Sequence, residues 1–444
     1  MAASAASSSR RSLVQAVDAL RHRDFAMFWT GALFSNIGMW MQNLTIPYVL
    51  YRETDSASWV GFAAFMQFIP GVLLGPVAGS LADRFPRRTI LLISQSLAAV
   101  LAFGLWGLFE TGRATPGAIV VMVTLSGIVF GLAIASWQAF VTELVPRESL
   151  LSAITLNSAQ FNGSRAFGPA IGGFFLARYG PAWAFLVNGI SYITVITALV
   201  LIKPRARQHA RPEGRILEQF REGIRYIASQ PGIALSMALV GAVGFLGSPV
   251  FQLAPVLAED VFKVDAQAYG LLTGALGAGA VLGAALLGAV GSGIRRSTLA
   301  AFAMLAYGLS LAGLAAAPVY AAGVVFMALA GMGYLAVVAS LQTTVQVLVP
   351  DSLRGRVLAV YVMTFTAAYP IGSLIQGRIA DAVGAPITIG IAAAVIAVLG
   401  LALVVRPNLL RRLDGTVSPG ARVEGRASAG ASDADSGSDP VAAA

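Results

Sequence analysis

Residues 117–142 read GAIVVMVTLSGIVFGLAIASWQAFVT, a stretch that contains no Asp, Glu, Lys or Arg. A helix needs roughly 20 such residues to cross the hydrocarbon core of a bilayer. Ten further stretches of this kind occur in the chain, and an eleventh is interrupted only by Arg165, so we expect twelve membrane-spanning helices. The predicted spans are 25–50, 59–82, 89–109, 117–142, 151–177, 182–202, 233–257, 268–290, 297–317, 320–348, 357–377 and 386–405.

The composition excludes an ordinary water-soluble domain, since 57% of the 444 residues are hydrophobic and only 11% are charged. The apolar stretches are continuous and do not alternate with period two, which argues against transmembrane strands. The net charge of +9 comes from residues between the apolar stretches. We therefore expect no nucleic-acid partner.

The residue types that carry most enzyme and metal chemistry are scarce. The chain has no cysteine, and its two histidines, His22 and His209, lie outside the predicted spans. No Gly-x-x-x-x-Gly-Lys-Ser/Thr loop for ATP occurs. We therefore expect neither an enzyme nor a bound metal or cofactor.

The distribution of basic residues predicts the orientation. On this set of spans, 24 of the 30 basic residues lie on the side of the two termini. The positive-inside rule then places both termini in the cytoplasm. We expect a cytoplasmic segment 1–24, a helical bundle 25–202, a cytoplasmic linker 203–232 with an amphipathic helix, a second bundle 233–405 and a disordered cytoplasmic tail 406–444.

An internal repeat relates the two bundles. An offset of 204 residues pairs Gly180 with Gly384 and Gln138 with Gln342, and an offset of 208 pairs Arg87-Arg88 with Arg295-Arg296. Parallel duplication of a six-helix unit is a transporter architecture in which the substrate site lies near mid-membrane between the halves.

Two motifs indicate the family. Residues 75–88 read GPVAGSLADRFPRR between the second and third spans, and residues 168–173 read GPAIGG in the fifth span. The chain resembles the major facilitator superfamily over residues 20–406, in particular the bacterial efflux branch that includes enterobactin-type siderophore exporters and macrolide or multidrug exporters. Pro86 stands where a glycine is commoner in the first motif, and Ser164 precedes the second where a glycine would be expected.

The resemblance implies an all-α membrane protein of twelve transmembrane helices in two pseudo-symmetric six-helix bundles. It also implies a monomer in the bacterial cytoplasmic membrane that exports a small amphiphilic molecule, such as a siderophore, a macrolide or another drug-like compound, in exchange for protons by alternating access. The bilayer, protons and this substrate are the expected partners. An uptake symporter or facilitator is the first alternative, and a non-transporting membrane receptor is the second.

The first motif predicts a gating latch, and the second predicts a hinge. The resemblance implies that a carboxylate beside arginines holds one conformation, while glycines four residues apart permit close helix approach. The first motif could instead be a solvated loop. The second could instead serve only close packing, and both alternatives remain open. The latch residues are Gly75, Gly79, Asp83, Arg84, Arg87 and Arg88, and the hinge residues are Gly168, Pro169, Gly172 and Gly173.

Arg165 is the one basic residue inside a predicted span. A charge at that depth should face protein or a water-filled cavity. Gln42 and Asn43 of the first span are at a comparable height and can accept hydrogen bonds from it. Two roles remain open for Arg165, which are membership of a structural network and direct contact with an anionic or carbonyl-rich substrate.

Further candidates line the expected cavity. Gln138 and Gln342 occupy equivalent positions in the fourth and tenth spans, while Tyr361, Phe365 and Tyr369 offer aromatic surface. No acid lies inside a predicted span, so the candidates for proton coupling are Asp24, Glu143 and Asp83 near the span ends.

Overall fold

The computed structural model describes residues 17–202, 216–290 and 294–414, and within these ranges the regular elements are all helices. We number twelve long helices. They are α1 Arg23–Thr54, α2 Ala57–Arg84, α3 Arg87–Glu110, α4 Pro116–Glu143, α5 Leu150–Tyr179, α6 Pro181–Leu201, α7 Pro231–Val261, α8 Ala266–Val290, α9 Arg296–Ala315, α10 Tyr320–Leu348, α11 Asp351–Val383 and α12 Ala385–Val405.

Each predicted span falls on one of these helices, which confirms the twelve-helix fold. Among the described residues, ten helices are long and apolar enough to cross a membrane by length and composition. The other two, α1 and α5, are 32 and 30 residues long but carry more polar side chains. We call the face at which α1 begins the terminal face, and the other the opposite face.

Several helices extend beyond the predicted spans. The first span was expected at 25–50 but α1 runs from Arg23 to Thr54, and the eleventh was expected at 357–377 but α11 runs from Asp351 to Val383. Helical hydrogen bonding continues past the last apolar residue because charged side chains there can reach the polar interface. The acids of the spanning helices therefore lie in first or last turns.

The duplication is visible in the backbone. Gly180 and Gly384, which the offset of 204 pairs, end α5 and α11 with φ of 85° and 88°. A side chain would be strained at these angles, so glycine permits the same turn into α6 and into α12. Two similar six-helix bundles follow, as expected.

The two bundles meet along two helix pairs, α2 with α11 and α5 with α8. Glycines bring the second pair close, since a Cβ added to Gly173 would lie 2.7 Å from the Cα of Gly270. Small residues at such crossings let helix backbones approach.

Two shorter helices accompany the bundles. The linker helix, Ile216–Ser229, packs against α7 and α11, and its Glu222 forms an ion pair with Arg356. The C-terminal helix, Pro407–Asp414, corrects the expectation of a disordered tail from residue 406. It is held because Leu413 is completely buried. Residues 1–16, 203–215 and 415–444, on which the remaining tail and linker expectations fall, lie outside the described residues.

Candidate transport site

Arg165 lies at the middle of the molecule, between the two bundles. It is the sixteenth of the 30 residues of α5. Its guanidinium carbon is 5.6 Å from the ring centroid of Trp40, on α1, and 5.2 Å from that of Tyr334, on α10. Trp40 and Tyr334 also lie near the midpoints of their helices. The cation is therefore placed between an aromatic ring of the first bundle and one of the second.

The expected hydrogen bonds from Arg165 to Gln42 and Asn43 are absent, which corrects the sequence-based expectation. The Gln42 side chain accepts a hydrogen bond from Asn188 Nδ2 at 2.7 Å, and Asn43 accepts one from Gln67 Nε2 at 2.9 Å. Both amides are thus engaged by α6 and α2 within the first bundle.

Arg165 forms no hydrogen bond or ion pair with a described residue, and its Nε is buried without a partner. A charge at a helix centre costs about 2.5–3.5 kcal/mol on insertion scales. Two ring contacts worth about 0.5–2 kcal/mol each offset part of this cost. They leave the N–H donors at the edge of the guanidinium unused.

Other polar groups near this level of α5 also lack partners. Among the described residues, Trp40 Nε1, the side-chain amide of Gln160 and Ser164 Oγ are buried without a hydrogen bond. Such groups in a native protein call for a water molecule or a ligand. The middle of α5 therefore has unused capacity for hydrogen bonding.

Aromatic rings surround the cation in both bundles. Trp40 contacts Phe161 with ring centroids 5.9 Å apart, and Tyr334 contacts Phe365 at 6.2 Å. Phe161 and Phe365 are equivalent under the offset of 204. Trp40 also reaches Phe251 of the second bundle at 6.1 Å. The rings form a belt that a bulky apolar ligand could contact.

The two remaining aromatic candidates differ in their surroundings. Tyr369, the equivalent of Arg165 on α11, accepts a hydrogen bond from Gln252 at 2.6 Å and packs against Phe68 of the first bundle at 5.1 Å. Tyr361 is only 3% exposed and donates to the Val338 carbonyl. Tyr361 therefore serves the packing of α10 against α11.

The paired glutamines have free side chains. Gln138 is exposed and Gln342 half-exposed, and neither hydrogen bonds to a described residue. Both are thus available to solvent or ligand.

Towards the opposite face, side chains close the space between the bundles in layers. Tyr269 stacks on Tyr48 with centroids 5.3 Å apart and donates to the Leu44 carbonyl at 3.1 Å. Farther out, Tyr51 donates to Asp260 at 2.5 Å. Arg52 and Glu259 form a 3.6 Å ion pair beside it.

The outermost layer is a helix cap between bundles that sequence reasoning missed. Asp381, in the last turn of α11, accepts hydrogen bonds from the backbone N–H of Ala57 at 2.5 Å and of Ser58 at 3.0 Å, and from Ser56 Oγ at 2.7 Å. A carboxylate is stabilising at a helix N-terminus, where N–H groups lack intrahelical partners. We call Asp381, Tyr51, Asp260, Arg52 and Glu259 the opposite-face gate.

The bundles are separate towards the terminal face. Gly75 and Gly79 were expected to permit close helix approach, but a Cβ added at either position meets no atom within 4 Å. The same holds for Gly163 of α5 and Gly355 of α11. Within the described ranges, every hydrogen bond, ion pair or ring contact that joins the bundles lies near mid-helix or nearer the opposite face. Contacts between the bundles therefore close the opposite-face side of Arg165, and none of these kinds closes its terminal-face side among the described residues.

The expected latch does not join the bundles in this conformation. Arg87 donates to Glu143 at 2.5 Å, and Arg88 donates to the Leu199 carbonyl at 2.5 Å, which ties α3 to α4 and α6 inside the first bundle. Asp83 and Arg84 are exposed and pair with no described residue. Of the proton-coupling candidates, Glu143 is thus engaged by Arg87, while Asp83 has no partner.

Asp24, the third proton-coupling candidate, is half-buried near the start of α1. It forms no hydrogen bond or ion pair within the part of the chain that the structure describes. Its carboxylate is thus without a partner among the described residues.

The predicted hinge lies between α1 and α8. A Cβ on Gly168 would be 2.5 Å from Trp40 Cβ, and one on Gly172 would be 3.0 Å from Met41 Cα. Gly173 faces α8, and Pro169 lies within the helix. The four residues place α5 in close contact with a helix of each bundle.

Comparison with known families identifies the chain. The model of the transmembrane secretion effector family, within the major facilitator superfamily, matches residues 14–438. The chain belongs to this family. The expected superfamily is confirmed, and the protein is a multi-pass membrane transporter of a small-molecule substrate. Members of this superfamily are generally not enzymes.

Individual relatives are more distant. The chain is 26% identical to the enterobactin exporter EntS of Shigella boydii over 362 residues, which are 80% of this chain and 85% of the relative. It is 26% identical to the staphyloferrin A transporter of Staphylococcus aureus over 254 residues, 55% of this chain and 62% of that one. The match to the crystal structure of the nucleoside transporter NupG covers 86% of this chain and 98% of the NupG chain, with a TM-score of 0.70 at 14% identity. This similarity shows a shared fold.

Proposed function

We propose that this protein exports a small amphiphilic molecule of the siderophore or macrolide type from the cytoplasm, in exchange for protons, by alternating access in a bacterial cytoplasmic membrane. The central observation is that Arg165 lies between the bundles, pairs with no described residue, and has the contacts that join the bundles on its opposite-face side. With both termini cytoplasmic, this is the conformation in which an exporter takes up its cargo.

The relatives support export of a siderophore-like compound. One relative is named an enterobactin exporter and another a staphyloferrin A transporter. Proton coupling would use Asp24, Asp83 or Glu143, because the spanning helices within the described ranges carry acids only in their terminal turns.

Everted membrane vesicles test direction and coupling together. Their cytoplasmic face is outside, so an exporter accumulates added enterobactin or erythromycin inside when respiration acidifies the lumen. We expect this accumulation only in vesicles that contain the protein, and we expect a protonophore to abolish it. An uptake symporter would give no accumulation, and neither would a receptor.

The outcomes separate the parts of the proposal. Accumulation that persists after the gradient is collapsed would overturn proton exchange but leave export standing. No accumulation of either compound, together with uptake by right-side-out vesicles, would overturn export.

A further inference from the structure

We propose that Arg165, Trp40 and Tyr334 form an anion-recognition site, which binds an organic anion whose carboxylate group is attached to an aromatic ring. This inference rests on the proposed function in assuming that substrate enters between the bundles. It adds the chemical class of that substrate.

Arg165 has no counter-charge among the described residues. Every acid of the twelve spanning helices, within the ranges that the structure describes, lies in a first or last turn. Arg165 is in the middle of α5 and forms no ion pair with a described residue. Buried charges are normally paired. Arg165 is half-buried and its Nε is buried without a partner, so the protein leaves the place beside it for an anion from outside.

The guanidinium of Arg165 has rings beside it and a free edge. Trp40 and Tyr334 lie 5.6 Å and 5.2 Å from its central carbon and provide ring contacts to the cation. Ring contacts of this kind do not use the N–H donors at the guanidinium edge. That edge matches a planar pair of anionic oxygens better than it matches a single neutral carbonyl.

The surroundings of the guanidinium indicate what the rest of the ligand is. Phe161 and Phe251 contact Trp40, and Phe365 contacts Tyr334, so aromatic surface continues on both sides of the cation. Aromatic rings prefer offset or edge-to-face contact with other rings. An anionic group attached to a ring would therefore pair with Arg165 while its ring contacts the aromatic belt.

The site belongs to both bundles. Trp40 and Arg165 come from the first bundle, and Tyr334 comes from the second. A ligand bound here contacts parts that must move relative to each other during alternating access. Its binding energy can therefore differ between the two conformations, which is the requirement for shifting their populations.

Two xanthene dyes of similar shape and opposite charge provide the test. Fluorescein is anionic and rhodamine 123 is cationic, and binding to the purified full chain in lipid nanodiscs is followed by fluorescence anisotropy, with empty nanodiscs subtracted. We expect the wild type to bind fluorescein more tightly than rhodamine 123. Arg165→Gln should weaken fluorescein binding about tenfold, because charge-assisted pairing is lost, and should not weaken rhodamine 123 binding.

Two further variants control the result. Arg165→Lys keeps the charge but loses the planar fork, so its affinity for fluorescein should be intermediate. Arg178→Gln removes a cation from the same helix at its opposite-face end, where Arg178 lies over Tyr179, and should leave both affinities unchanged. If Arg165→Gln does not remain monodisperse, the comparison of Arg165→Lys with Arg178→Gln carries the test.

The inference is overturned if the wild type prefers rhodamine 123, if it binds neither dye, or if Arg165→Gln and Arg165→Lys both bind fluorescein as the wild type does. Binding in nanodiscs does not depend on transport direction. Arg165-dependent anion binding without accumulation in everted vesicles would therefore overturn the export proposal but not the anion site. Accumulation in everted vesicles, together with dye binding that shows no charge preference, would overturn the anion site but not the export proposal.

Discussion

The carboxylate of Asp381 accepts a 2.5 Å hydrogen bond from the backbone N–H of Ala57, so a residue at the end of α11 caps the first turn of α2. The cap joins the two bundles, because α2 belongs to the first and α11 to the second. It can exist only while the opposite face is closed.

Asp381→Ala should therefore open the opposite face. Loss of a helix cap costs about 1 kcal/mol, which corresponds to a roughly fivefold shift between the two conformations. The chain contains no cysteine, so a single Ser373→Cys substitution can report the shift. Ser373 is 2% exposed, and its carbonyl faces Gly61 in the contact between α11 and α2. Labelling by a membrane-impermeant maleimide from the opposite face should rise about fivefold in Asp381→Ala.

Asp265→Ala is the matched control for this experiment. Asp265 caps α8 by accepting from the Ala268 N–H at 2.9 Å, a bond that lies within one bundle. Its loss should reduce stability without increasing the labelling of Ser373→Cys. Equal labelling in both variants would show that the Asp381 cap does not hold the gate.

Asp83→Asn should reduce transport without changing the thermal stability of the purified protein. Asp83 is exposed and has no partner among the described residues, so its charge does not stabilise this conformation through an ion pair or a hydrogen bond. If it acts as a latch, it acts when the terminal face closes. Transport is measured in everted vesicles at matched expression, and stability is measured by thermal unfolding in detergent.

Glu143→Gln is the contrasting variant. Glu143 accepts from Arg87 at 2.5 Å, and both side chains are mostly buried, so its loss should lower the unfolding temperature as well. Full transport by Asp83→Asn would show that Asp83 does not act as a latch.

The sequence predicted the fold almost completely, and the reason is physical. A bilayer requires about 20 apolar residues for each crossing, so each spanning helix can be recognised from its own residues. Gly180 and Gly384 likewise mark equivalent turns without any knowledge of packing. The depth of Arg165 follows in the same way. Its neighbours do not, because they depend on which faces of separate helices meet.

The incorrect partners of Arg165 illustrate this limit. Gln42 and Asn43 were at the right height, but α6 presents Asn188 to Gln42 and α2 presents Gln67 to Asn43. Asp381 was missed for a related reason. Its partner is the start of a helix more than 300 residues away, and nothing local distinguishes it from other charged residues at helix ends.

The orientation prediction has a direct test. A green fluorescent protein fused after residue 444 should fluoresce, because both termini are expected in the cytoplasm. Alkaline phosphatase fused after Gly112, between α3 and α4 on the opposite face, should be active, because that enzyme needs the periplasm or cell exterior. The reverse pair of results would invert the transport direction that the closed opposite face implies.

Gly79→Leu should leave this conformation intact and impair transport. A Cβ added at Gly79 meets no atom within 4 Å here, and leucine favours a helix more than glycine does by about 0.8 kcal/mol, so the unfolding temperature should stay the same or rise. Closure of the terminal face would bring another helix towards Gly79, and the leucine would obstruct that approach.

Gly173→Leu makes the comparison specific. The Cβ there would lie 2.7 Å from the Cα of Gly270 on α8, so this variant should lose stability and transport together. Thermal unfolding and accumulation in everted vesicles are measured for both variants. A Gly79→Leu protein that transports at the wild-type rate would mean that α2 and its neighbour do not close over this glycine during the cycle.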